Sequence, residues 1–159
     1  MLTKPDCGWT KFSLDGKNAY YLGYVTDVAM EWLDAAVFGL TYDSPVVVKG
    51  FCEPGWMVCA ATWDECLVWF EDSIDPPDIF RMEPEAVYPV DRLAFCREMV
   101  EDITNHLSAW VDWELYDEEG EEADASRSAR ESALMERLTA IKTMLDEMAS
   151  EEDEGEDEP

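Results

Sequence analysis

Apolar residues recur at spacings of three and four from Asp91 to Trp113. Leu93, Cys96, Val100, Ile103, Leu107 and Trp110 fall on one face of a predicted helix. Asp91, just after the Tyr88-Pro89 step, is its expected N-cap, and the opposite face carries Glu98, Glu101, Asp102 and Asp112. A second helix is predicted after Thr26 or Asp27, running through Leu40. Val28, Trp32, Ala35, Ala36 and Gly39 mark one side of it, and Met30, Leu33 and Val37 widen the apolar arc, which suits burial between layers. A third pattern is narrower: Leu134, Leu138, Ile141, Leu145 and Met148 form an a/d seam after a capping-box sequence at Ser128–Glu131. Arg127 and Arg130 near its start and Asp146 and Glu147 near its end oppose the helix dipole. Such a helix needs a partner for its seam. Its own domain is one choice; a homodimer through Leu134, Leu138, Ile141 and Leu145, or another protein, is the other.

Between these helices the pattern is that of strands. Trp9–Leu14 places Thr10, Phe12 and Leu14 on one face, Asp15-Gly16 predicts a tight primed hairpin turn, and Ala19–Val25 returns. Pro45–Cys52 contains the β-branched run Val46, Val47 and Val48. Glu53-Pro54-Gly55 is a turn, followed by strands at Trp56–Thr62 and Glu65–Phe70. Glu71–Asp78 is an acidic, proline-rich loop that cannot be a central strand. Phe80, Met82 and Val87 suit a short edge strand that Pro84 limits. The expected fold is therefore α+β: an antiparallel sheet of five or six strands packed by two helices, with a C-terminal helix and a disordered acidic tail. In domain terms, 1–113 is compact, 114–127 an acidic linker, 128–149 the last helix and 150–159 the tail.

Charge changes this picture most. The chain has 38 acidic and 11 basic residues among 159, a net charge of −27. Residues 1–111 hold 19 acids and 7 bases, residues 112–159 hold 19 acids and 4 bases, so both the body and its C-terminal part are acidic. This field repels nucleic acid and anionic membrane and attracts basic proteins. Hydrophobic content of 47% and aromatic content of 12% supply a packed core, which a wholly disordered acidic chain lacks. Seven tryptophans imply that some lie at the surface or an interface. Five cysteines without a CxxC pair read as free, mostly buried thiols in a reducing cytoplasm. The polar N-terminal stretch predicts no signal peptide, and no apolar run reaches the length of a membrane span.

Candidate chemistry is sparse. There is no GxGxxG, P-loop, HExxH or GxSxG sequence. His106 is the sole histidine; ten residues from Cys96 on one helix, it would stand about 15 Å away along the axis, too far for proton transfer. The Glu71–Asp78 acids lack EF-hand spacing and its central glycine. The expectation is a protein that is not an enzyme and uses no cofactor or metal. What is left is an anionic surface, with Glu71, Asp72, Asp75, Asp78, Glu98, Glu101, Asp102 and Asp112 as candidate partner-binding residues. In size and composition, though over no aligned residues, the chain resembles the acidic DNA-mimic inhibitors of phages and mobile elements, including anti-restriction and anti-CRISPR proteins. That resemblance implies a basic, nucleic-acid-binding protein partner. The alternative is an immunity or adaptor protein that binds a cationic toxin or enzyme through its aromatics and C-terminal helix.

Overall fold

The computed structural model describes residues 1–115 and 117–155, the last five of these by backbone alone. Its elements are β1 (Trp9–Phe12), β2 (Tyr20–Gly23), α1 (Val28–Thr41), β3 (Val46–Phe51), β4 (Trp56–Ala61), β5 (Cys66–Glu71), β6 (Ala86–Tyr88), α2 (Arg92–Asn105), α3 (Leu107–Val111) and α4 (Glu121–Gly155). The α+β class holds, but the expected single sheet of five or six strands does not. β1 and β2 form a separate ribbon, and β3-β4-β5-β6 form a four-stranded antiparallel meander. The division has a local cause at the free edge of β3. The Trp32 indole donates to Lys49 O at 2.8 Å, and Phe51 N donates to Thr26 Oγ1 at 3.4 Å. Side chains thus occupy the edge groups that a β2 ladder would use, and β2 meets β3 only by packing, with Leu22 beneath Gly50.

The primed turn at Asp15-Gly16 is also replaced. The β1–β2 connection runs from Ser13 to Ala19 and is gathered by one carboxylate: Asp15 accepts from Lys17 N and Asn18 N, both at 2.8 Å, and from Asn18 Nδ2 at 2.7 Å. An aspartate that can collect three donors favours this wider loop over a two-residue turn.

One face of the meander carries Val46, Val48, Met57, Cys59, Ala61, Cys66 and Val68, all buried in the main core. α1 lies on it, and Gly39 sets the approach: a Cβ there would meet Val46 Cγ2 at 2.5 Å. Phe12, Trp32 and Phe95 close the centre, with the Phe12 and Trp32 rings edge to face at 5.2 Å. The expected caps form: Asp27 accepts from Met30 N and Asp91 from Ala94 N. The long helix expected over Asp91–Trp113 bends at His106 into α2 and α3, whose carbonyl accepts from Ala109 N and Trp110 N. The bend turns Trp110 and Trp113 inward, and the Trp113 indole reaches Thr26 O at 2.9 Å.

The last helix differs most from expectation. It starts at Glu121 rather than Ser128, with Glu121, Glu122 and Asp124 in its first turn, where acids favour the dipole. The Ser128–Glu131 box is interior helix. The stretch expected as a linker is folded onto Arg127, which donates to Leu115 O at 2.8 Å and Glu118 O at 2.6 Å. The tail expected from Ser150 is helical to Gly155, and residues 156–159 lie outside the described residues. The seam does not serve a homodimer: Leu134, Leu138, Ile141 and Leu145 are buried in the chain's own core, 0–5% exposed. Leu138→Ala is expected to lower stability by about 2–5 kcal/mol. Urea unfolding of wild type and variant should show midpoints independent of protein concentration, as an intramolecular seam requires.

Candidate anionic binding surface

The eight candidate acids divide between opposite sides of the four-stranded sheet. Glu71 ends β5, and Asp72, Asp75 and Asp78 lie in the connection to β6. That connection covers the sheet's outer face, where Ile79 and Leu67 pack with Val58, Ala60 and Trp69. Glu98, Glu101 and Asp102 belong to α2, whose Phe95, Cys96, Met99 and Ile103 enter the core on the inner side. Asp112 is the C-cap of α3. A single array over all eight, as the sequence suggested, is therefore not formed.

Their electrostatic surroundings differ as well. Asp102 accepts from Leu2 N at 2.7 Å and lies 3.0 Å from the Met1 amine, which also approaches Glu98 at 3.8 Å. Asp112 pairs with Arg127 Nε at 2.7 Å. Glu101 lines a groove of about 340 Å³ between α2 and α4 that also contains Arg97, Lys142 and Asp146, so its field is locally offset. Asp78 lies 3.4 Å from Arg81, both well exposed, a pair of little energetic weight. Glu71, Asp72 and Asp75 have no cationic partner among the described residues.

The arginines explain why so much negative charge stays outward. Arg92 is 5% exposed and donates to Ser44 O at 2.9 Å, to Asp43 at 2.8 Å and to Gly39 O, one of the last carbonyls of α1. Trp63 covers its guanidinium at 5.3 Å and donates to the same Asp43. Hydrogen bonds from Arg92 and Trp63 hold the Asp43 carboxyl below its ordinary range. Arg130 grips Asp27 through both Nη1 and Nη2, the latter donating to Oδ1 at 2.6 Å, and Arg137 Nε donates to Asp34 at 2.6 Å. These cations join elements of the fold. Glu121, Glu122, Glu131, Glu136, Asp146 and Glu147 are exposed along one continuous helix. Among the described residues no ion pair forms to these outer acids, of which only Asp146 shares a groove with Arg97 and Lys142. Sequence reading missed these positions as sites because it assigned the first of them to a linker. The usable signal was that the arginines stand beside the seam, where they can reach across to a neighbouring helix.

The thiols of Cys52, Cys59 and Cys96 are raised above the ordinary thiol range. Burial pushes Cys96 up to about 12 and Cys52 to about 11, and Cys59 is raised by its hydrogen bond with Cys66 and by burial. His106 sits half-buried at the α2–α3 bend. Among the described residues no three metal-ligating side chains come together, and no helix is long and apolar enough to cross a membrane.

Two outcomes follow for the acids. Asp75→Lys, at a position with no described cation beside it, should leave the melting temperature unchanged, whereas Asp112→Lys should lower it by breaking the Arg127 pair. Backbone and Asn18 donors hold Asp15 down at about 2, below its ordinary 3.8. Its loop contribution is thus fully present above the unfolded value and is lost as pH falls through the folded one. The Lys17 and Asn18 amide resonances should shift as pH falls from about 4 to about 2, and Asp15→Asn should abolish that titration.

No family model, curated protein or solved structure matches this chain.

Proposed function

We propose that the protein is a non-enzymatic acidic binding protein that blocks a basic nucleic-acid-binding protein by mimicking DNA or RNA, as anti-restriction or anti-CRISPR inhibitors of phages and mobile elements do. One observation supports this above the others. Four of the eleven basic residues, Arg92, Arg127, Arg130 and Arg137, are committed as braces between elements, while carboxylates that outnumber the remaining cations stand outward on regular, fixed elements. Glu136 and Glu147, eleven positions apart on α4, project within about 20° of one another and about 16.5 Å apart along the helix axis. Successive phosphates of one DNA strand rise by about 3.4 Å, so these two carboxylates span about five phosphate steps. Opposite lysine and arginine they form charge-assisted hydrogen bonds in place of phosphate. A partner docks against one side of the sheet, and the acids on the other side add to the long-range attraction.

The adaptor or immunity reading has its own support in exposed aromatics. Phe38 and Tyr42 lie 4.8 Å apart near the C-terminus of α1, and Trp63 is half exposed. With its seam buried, α4 offers a partner only its polar face.

Capture from a candidate host lysate at low salt, followed by elution with duplex DNA or a salt gradient, tests the mimicry reading. The expected result is a nucleic-acid-binding protein released by competing DNA, with capture weakened by the triple variant Glu131→Lys, Glu136→Lys, Glu147→Lys. A captured protein indifferent to DNA, to salt and to those reversals would overturn the proposal.

A further inference from the structure

The connection between β5 and β6 combines two properties that rarely occur together: large apolar side chains in water and a tightly fixed backbone. Phe80 is 94% exposed and Ile74 is 87% exposed. The backbone that carries them is pinned to the sheet by two tryptophans. The Trp56 indole donates to Ile74 O and the Trp69 indole to Met82 O, each at 2.9 Å. A turn closes between these pins: Arg81 N and Met82 N donate to Asp78 O, and Phe80 N to the Asp78 carboxylate at 3.2 Å. Pro77 is buried, and Ile79 enters the small outer cluster while its neighbour Phe80 points away. Phe80 is thus held out as a knob, with the ordering cost of the loop already met within the fold.

The apolar surface continues onto the sheet. The register aligns Val47, Ala60, Leu67 and Val87 across all four strands, and Val47 and Val87 at its ends remain 44% and 51% exposed. A cavity of about 240 Å³ lies between Val47, Val58, Pro77 and Ile79. Around the knob stand Asp72, Asp75, Asp78 and Glu83, with Arg81 the one cation of the connection. This charge selects the occupant. A second copy would bring the same acids against themselves, and an anionic lipid surface or nucleic acid would be repelled.

We propose that the Asp72–Glu85 connection is a preorganised docking knob, with Phe80 and Ile74 as anchors, for a protein surface bearing an apolar pocket rimmed by lysine and arginine. The inference rests on the reading that the partner is a basic protein and adds where contact is made: aromatic anchors at the centre, carboxylates at the rim.

Two synthetic peptides of equal charge test it, one an amphipathic leucine–lysine helix and the other with serine at every leucine position. Each is titrated into the full-length protein and followed by amide resonances and calorimetry. The leucine–lysine peptide should bind about tenfold or more tightly than its serine counterpart, with shifts centred on residues 72–85. The double variant Phe80→Ser, Ile74→Ser should retain its melting temperature, because both side chains are exposed, and lose that preference. Asp72→Asn with Asp75→Asn should weaken both peptides alike and flatten the salt dependence. Equal affinity for the two peptides, shifts centred on α2 or α4, or a dimer in sedimentation that Phe80→Ser abolishes would each overturn the inference. None of these outcomes involves competition with DNA, so the knob can fail while the mimicry reading stands, and the reverse.

Discussion

The docking of α4 on α1 fixes the rest of the molecule. Three contacts between them share one sequence offset: Asp27 with Arg130, Asp34 with Arg137, and Thr41 with Met144 are each 103 residues apart. Both helices therefore advance together, parallel and in register, with contacts one heptad apart. Seven residues bring a side chain back to nearly the same face of a helix, so two chains repeating at that interval stay in contact over several turns. The arrangement places an aspartate–arginine pair at the first two stations beside the apolar seam. Arg130 and Asp27 are only 11% and 19% exposed, and removal of either would leave a charge largely desolvated. The pairs thus discriminate strongly against other registers, since a slip would separate every charge from its partner at once.

From that register the charge distribution follows. With the seam facing α1, α2 and α3, the other side of α4 must face water, and it carries glutamates and aspartates. Arg127, near the first stations, ties Asp112 and the carbonyls of Leu115 and Glu118 to the body. Tryptophans do comparable work with neutral donors. Indoles of Trp32, Trp56, Trp69 and Trp113 each donate to a backbone carbonyl distant in sequence, joining α1 to β3, the β5–β6 connection to the sheet, and α3 to the start of α1. A large ring excludes water from its surroundings while its single N–H satisfies a carbonyl that burial would otherwise strand.

The parts of this fold that depend on local periodicity were legible. Asp27 and Asp91 cap the helices where the patterns begin, and Val46 and Val48 alternate inward with Val47 and Lys49 outward. What depended on partners far away in sequence was not. Nothing near Lys49 or Phe51 indicates that Trp32 and Thr26 will occupy the edge of β3 and split the sheet. Nothing near Ser128 indicates that Arg127 and Arg130 are bound to Asp112 and Asp27, and that the helix can therefore begin a full two turns earlier. The candidate acids suffered most from this. Glu101 and Asp75 look alike in sequence, yet one shares a groove with Arg97 of its own helix and Lys142 of α4, and the other has no described cation beside it. Phe80 and Met82 suited a short edge strand together with Val87, but the strand begins only at Ala86, beyond Pro84.

Net charge and the exposed knob are linked by the same physics. A phenylalanine and an isoleucine left in water on a fixed loop would ordinarily promote self-association. Here every approach of two copies brings together bodies of charge −27, and at the knob itself Asp72, Asp75 and Glu83 face their own counterparts. Repulsion at long range makes the encounter rare, and at contact it leaves carboxylates desolvated without cations. A cationic surface reverses both terms, because the field draws it in and its lysines and arginines relieve the rim. In the proposed docking the charge acts as a filter on which molecules can reach the apolar groups, so that the hydrophobic contact supplies strength and the surrounding acids decide who makes it.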